Sequence, residues 1–219
     1  MNDQPSCRIY LFRHGETANS KEVCFNGHFD IGLSVNGENQ FKEWAQVLKN
    51  EPFKAIYSSD LERTRTSARL LGEPHNLEPV TFPELRELCF GNWEGLSVVE
   101  VEKRFPNQLK ERMKNIETFR VEGGETFRQL QDRVIPRFEE IVARHQNEQV
   151  ALVCHGGVNR VIFSHLLEIP IERIFRVKQE YAALNIIQYF GGEPVVELLG
   201  GTVNNAYINP TGDKKIPIQ

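Results

Sequence analysis

The chain is short of the residues that staple proteins together or thread them through membranes. Its 219 residues include only four cysteines, Cys7, Cys24, Cys89 and Cys154. They lie far apart, with no CxxC pair and no Cys/His spacing of a zinc site, which argues against a disulfide scaffold or a zinc module. Reduced thiols in a cytoplasmic protein are the simplest expectation. No apolar run approaches membrane-spanning length, and the first six residues carry neither part of a signal peptide, so no membrane partner is expected. Positive charge is scarce too. Lys and Arg number 26 against 30 Asp and Glu, a net charge of −4, so the overall field offers little to nucleic acid. Any anion site must be a local cluster of Arg and His. No Pro/Gly/Ser linker and no internal repeat divides the chain, so residues 1–219 read as one domain.

Short apolar runs, Arg8 to Phe12, Ala55 to Ser58, Pro79 to Phe82 and Gln149 to Cys154, read as strands. Two more, Ala183 to Phe190 and Pro194 to Leu199, flank Gly191-Gly192 as a hairpin. Helical spacing marks Asn36 to Leu48, a helix capped by Asp60, a long helix from about Glu125 to His145, and Gly156 to Leu167. Pro136 should bend or split the long helix. Alternating strands and helices predict a three-layer α/β/α fold: a mostly parallel sheet with helices on both faces. Residues 96–122 read as a small helical cap over the C-terminal sheet edge, and residues 204–219 as an irregular tail.

The heptad LFRHGET, Leu11 to Thr17, ends a strand on Arg13-His14-Gly15. That delivers a cation and an imidazole to the carboxyl edge of the sheet, where open α/β sheets bind ligands. Glycine there lets a ligand come close to the backbone and leaves its N–H unobstructed. Three further strand ends carry polar residues: SSDLERTRTSA with Arg63, PELRELCFGNWEG with Glu84 and Glu87, and CHGGVNR with His155, Gly156 and Arg160. Glycines opening a helix leave N–H groups for phosphate oxygens. Two arginines, two histidines and a carboxylate supply what phosphomonoester cleavage needs: a nucleophile, donors for the non-bridging oxygens, and an acid for the leaving oxygen. No second acidic cluster offers metal ligands, so no metal and no cofactor is expected.

Taken in order, LFRHGET, SSDLERTRTSA, LRELCFGNWEG and VCHGGVNR resemble the histidine phosphatase superfamily, phosphoglycerate-mutase-like branch. The resemblance runs from Arg8 to about Arg160, and the spacer FNGHFDIGLSVNG is similar to the family's first loop. It implies that His14 is the nucleophile, that Arg13, Arg63 and His155 grip the phosphoryl oxygens, and that Glu87 is the acid, with Glu84 as decoy. GGET, Gly123 to Thr126, resembles a segment that supports the active-site edge. Gly15, Gly27, His28 and Gly156 join the expected substrate-binding set. In one place the chain departs from the family. The asparagine seven residues after the first arginine is here Ser20, with Asn19 one step earlier, so either Asn19 or Ser20 would contact the phosphate.

Against this stands the CxxGxxR signature of cysteine-dependent phosphatases, met by Cys154, Gly157 and Arg160. That reading leaves LFRHGET and SSDLERTRTSA without a purpose. A phosphoglycerate mutase would carry a longer insertion with paired arginines, whereas Lys103, Arg104, Lys110, Arg112, Lys114 and Arg120 are scattered along the cap. A non-catalytic phosphate-binding module would have lost one of its histidines. The expectation is a hydrolase of a small phosphorylated metabolite. Chain length and the segment EYAALNII, Glu180 to Ile187, look similar to alpha-ribazole phosphatases, which makes alpha-ribazole 5'-phosphate one expected substrate. Oligomeric state stays open, a homodimer included.

Overall fold

The computed structural model describes residues 5–203, so the expectation for the tail lies outside the described residues. Strand β1 (Pro5–Arg13) is apolar on both faces. Ile9 and Leu11 point into one core, Tyr10 and Phe12 into the other. A strand with no polar face must be covered on both sides. The same alternation recurs in β4 (Glu148–Cys154) and β5 (Leu184–Phe190). With β2 (Phe53–Ser58), β3 (Val80–Thr81) and β6 (Glu193–Gly201) they form one sheet in the order β3-β2-β4-β1-β5-β6.

Helices α1 (Val35–Val47) and α2 (Glu62–Gly72) cover one face with Phe41, Trp44, Ala68 and Leu71. Helices α5 (Phe127–Arg144) and α6 (Gly156–Leu166) cover the other with Leu130, Val134, Phe138, Val158 and Val161. Strands β1 to β4 are parallel; the β5–β6 hairpin adds to β1 antiparallel through Gly191 and Gly192, both at positive φ. No helix among the described residues is long and apolar enough to cross a membrane.

Two local expectations need correcting. Leu61, not Asp60, is the N-cap of α2, and it makes no side-chain cap. The Asp60 carboxylate instead takes a bidentate pair from Arg86, Nε at 2.6 Å and Nη2 at 2.5 Å. The guanidinium fork gives the carboxylate two charge-assisted bonds to a full cation where a cap would give it a backbone N–H, which accounts for the choice. Nor does Pro136 split α5, which runs unbroken for 18 residues. Pro136 is exposed while Val134, Ile135 and Phe138 are buried, so the missing N–H falls on the solvent side, where a curved helix tolerates it.

The cap contains α3 (Val98–Arg104), closed by a Ser97/Glu100 capping box, and α4 (Gln108–Lys114). It is less polar than its sequence suggests. Trp93, Val101 and Val121 form a small core of their own with Phe25, Phe90, Phe105 and Phe119 packed around it.

Candidate active site

Register brings the site together. Arg13 pairs with Cys154 across β1 and β4, and Ser58 pairs with Val153 across β2 and β4. The residues that follow, His14, His155 and Ser59, therefore emerge side by side at one sheet edge. The His14 N–H donates to Cys154 O at 3.0 Å, and the two imidazole centroids are 5.2 Å apart.

The ring of His14 is buried, with Nδ1 2.8 Å from Gly15 O. A carbonyl can only accept, so Nδ1 carries the proton and Nε2 presents its lone pair, with no partner among the described residues. Burial, with Arg63 and Arg13 nearby, holds the imidazole pKa well below its ordinary value and keeps the ring neutral. A neutral imidazole with one bare nitrogen is a nucleophile.

Fully buried His155 places Nε2 2.8 Å from Ser59 Oγ, which lies 2.6 Å from Thr64 Oγ1. Thr64 directs its proton to the carbonyls of Leu61 (2.8 Å) and Ser59 (3.1 Å), so it accepts the proton of Ser59. Ser59 in turn accepts from His155 Nε2–H. This chain of donors leaves Nδ1 of His155 buried and unpartnered.

The arginines are fixed by backbone oxygens. Arg13 Nη1 donates to Gln179 O at 2.7 Å, and its guanidinium carbon sits 4.0 Å from the ring centroid of Tyr181. Arg63 donates to Gly27 O (2.6 Å) and Phe29 O (3.0 Å). Both leave Nε buried without a partner. Of nine such side-chain atoms among the described residues, three are therefore Arg13 Nε, Arg63 Nε and His155 Nδ1, all beside His14. Buried polar groups are normally paired, so two unpartnered arginine N–H donors beside an imidazole nitrogen that becomes a third donor on protonation mark an anion site.

Glu87 completes the arrangement. Its Oε2 accepts from Gly157 N–H at 2.9 Å and its Oε1 from Leu88 N–H at 2.8 Å, placing the carboxylate against the first turn of α6. A Cβ on Gly157 would lie 2.2 Å from Oε1, so any larger residue there would push the Glu87 carboxylate out of this position. Arg133 clamps the Glu87 loop through the carbonyls of Glu84, Arg86 and Glu87 at 2.7 to 2.9 Å. Glu84 turns away to Arg137, at 2.8 Å. The GGET segment locks the other side: Cys89 and Glu125 exchange bonds at 3.0 Å.

Other expected contacts lie elsewhere. The Gly15 N–H is not open to a ligand; it donates to Ser67 Oγ at 3.2 Å, and a Cβ there would meet Gly37 O at 2.5 Å. Glycine at this position serves chain packing. Asn19 forms a reciprocal amide pair with Asn26 at 2.7 and 3.1 Å and accepts from Thr17 Oγ1 at 3.0 Å, while Ser20 helps to hold the Glu16 carboxylate pKa below its ordinary value. Gly27 serves through its carbonyl. His28 holds the acid loop, with Nε2 2.8 Å from Glu87 O. Its ring, Cys89 and Glu94 bring donor atoms within 4.8 Å of one another, and Glu94 Oε1 also accepts the N–H groups of His28 and Phe90. The Gly156 N–H, in the first turn of α6, makes no bond within the described residues.

Cys154 is fully buried in the core cluster that α5 and α6 cover, and desolvation with Glu87 nearby pushes its thiol pKa far up. The CxxGxxR match therefore carries no thiolate nucleophile. Sequence reasoning missed Ser59, Thr64 and Tyr181. Tyr181 arrives because β5 is antiparallel: its N-terminal end, at Leu184 opposite Phe12, meets the edge where the parallel strands finish.

The family model described as histidine phosphatase superfamily, branch 1, matches residues 9–202. The chain belongs to the histidine phosphatase superfamily. Within this superfamily it is 30% identical over 206 residues to the adenosylcobalamin/alpha-ribazole phosphatase of Escherichia coli, covering 91% of this chain and 100% of that one. It is 29% identical to phosphoserine phosphatase 1 of Hydrogenobacter thermophilus, covering 82% and 85%. Among solved structures, mycobacterial glucosyl-3-phosphoglycerate phosphatase in complex with VO3 superposes with a TM-score of 0.81 at 26% identity, covering 89% of this chain and 99% of that one.

Proposed function

We propose that this histidine phosphatase hydrolyses phosphomonoesters without a metal, through a phosphohistidine at His14. One observation carries the reading: a bare His14 Nε2 bracketed by three buried, unpartnered groups, Arg13 Nε, Arg63 Nε and His155 Nδ1. In the first step Nε2 attacks phosphorus, the P–O ester bond breaks, and Glu87 gives its proton to the leaving alcohol oxygen. Arg13, Arg63 and protonated His155 hold the three non-bridging oxygens. In the second step water attacks the phosphohistidine and loses a proton to Glu87. The P–N bond breaks, returning neutral His14 and inorganic phosphate.

The substrate is a small phosphorylated metabolite shaped by the cap. Similarity to the E. coli enzyme supports alpha-ribazole 5'-phosphate, and near-equal similarity to a phosphoserine phosphatase supports an amino-acid ester. A cap of two seven-residue helices favours hydrolysis over mutase chemistry, which must exclude water from the intermediate. Phosphate release from a panel of monoesters, with and without chelator, tests the reading. Expected are chelator-resistant turnover and a loss of roughly 10³-fold or more in His14→Ala. Chelator-sensitive activity, or an active His14→Ala, would overturn it.

A further inference from the structure

We propose that Arg112 and Arg160 form a second anion subsite, so that the preferred substrate carries a further carboxylate or phosphoryl group on the alcohol side of its ester. The proposal rests on the phosphatase reading above and names a substrate class for that same site.

Of the six basic cap residues, five (Lys103, Arg104, Lys110, Lys114 and Arg120) are exposed; Arg112 alone turns inward. Its guanidinium carbon lies 5.5 Å from the ring centroid of Phe90, 5.4 Å from Phe127 and 5.5 Å from Phe175. Arg160, from α6, sits 5.3 Å from the same Phe175 ring, held by Nε donating to Val177 O at 3.0 Å. It also approaches Gly156, where a Cβ would lie 3.0 Å from its Nη1 and 3.7 Å from Arg13 Nε. The two cations therefore adjoin the phosphoryl pocket, one from the cap and one from the sheet edge.

Arg112 makes no hydrogen bond and no ion pair among the described residues. Half-buried arginines are usually paired, because desolvating an unpaired charge is costly. Here burial, with Arg160 nearby, pushes the Arg112 pKa down to about 10. The rings hold its faces by cation–π contact and leave its donor edge, which suits a bidentate anion.

Charge balance points the same way. Glu87 is the one carboxylate felt by all four of Arg13, Arg63, Arg112 and Arg160. Of the other acids, Asp30 faces Arg63, while Glu180 faces Arg13 and Arg160 and is paired with Lys178 at 2.6 Å. Neither reaches Arg112. Glu87 is the one acid that acts on Arg112, and when Glu87 is protonated Arg112 has none. Arg112 is the one left over.

The test compares kcat/KM for esters that differ only in the second charge: 3-phosphoglycerate against glycerol 3-phosphate, and fructose 1,6-bisphosphate against fructose 6-phosphate. Wild type is expected to favour the more anionic ester in at least one pair by about 10- to 100-fold, the worth of a charge-assisted bond. The pair that shows the preference identifies the anion as carboxylate or phosphoryl. Arg112→Gln should bring that ratio close to one, and Arg112→Lys should restore part of it. A purely structural role for Arg112 would lower both members of a pair alike and leave the ratio unchanged, which overturns the proposal while the phosphatase reading stands. No preference in wild type overturns it as well. Absence of turnover of any monoester would overturn the phosphatase reading instead.

Discussion

The hydroxyl of Ser59 lies between His155 Nε2 (2.8 Å) and Thr64 Oγ1 (2.6 Å), with all three side chains buried. Ser59→Ala removes the acceptor that fixes the His155 proton on Nε2. A buried N–H left without a partner costs about 1–3 kcal/mol. The ring is also released to rotate or to move its proton, so Nδ1 no longer meets the phosphoryl group in a set state. At about 1.4 kcal/mol per tenfold, kcat/KM should fall roughly 5- to 150-fold. Steady-state hydrolysis of p-nitrophenyl phosphate measures the loss, and a thermal melt confirms that the variant is folded. In a His155→Ala background the same substitution should add almost nothing, because the two residues act as one unit. A folded Ser59→Ala with unchanged kcat/KM, or losses that simply add in the double variant, would refute the proton chain from Thr64 to His155.

Anion binding should take up a proton at His155. Its pKa lies well below the ordinary histidine value in the empty site. Donating to an anion raises it in the complex, so affinity is greatest at low pH and falls by up to about tenfold per pH unit as pH rises through the complex's pKa. Calorimetric titration with sulfate in buffers of different ionisation heat counts that proton; zero uptake contradicts the assignment. Cys154→Ser should keep kcat within about threefold, since a core thiol with a raised pKa is no nucleophile; a loss above about 100-fold in assay would revive the cysteine mechanism. In Gly37→Ala the new Cβ would lie 2.1 Å from Glu16 O, just after the His14 loop. The overpacking should cost about 1–3 kcal/mol, seen as a melting point several degrees lower together with reduced turnover; an unshifted melt contradicts it.

The strands themselves and the two histidines at their ends were legible, though not the strand order, because apolar runs ending in Arg-His-Gly and Cys-His-Gly-Gly report both burial and exit point. Glu87 was set apart from Glu84 only by the family resemblance, and the structure gives the physical difference: one carboxylate meets α6, the other Arg137. What could not be read depends on partners distant in sequence. Asp60 looks like a cap until Arg86, 26 residues away, is folded onto it. Asn19 looks free until Asn26 pairs with it. Tyr181 belongs to a turn before an antiparallel strand, and reading only strand ends passes over strand beginnings. Arg112 looks like one of six scattered charges because periodicity in a seven-residue helix does not reveal the aromatic cage that three other segments build around it.

The central claim is that phosphorus becomes bonded to His14 Nε2. Rapid quench of the protein with a ³²P-labelled monoester, followed by peptide mapping, tests it most directly. The account predicts a phosphoenzyme that is labile in acid and stable in alkali, with the label on the peptide containing His14 and none in His14→Ala. Label on Cys154, or turnover with no trapped phosphoenzyme under any quench, would contradict it.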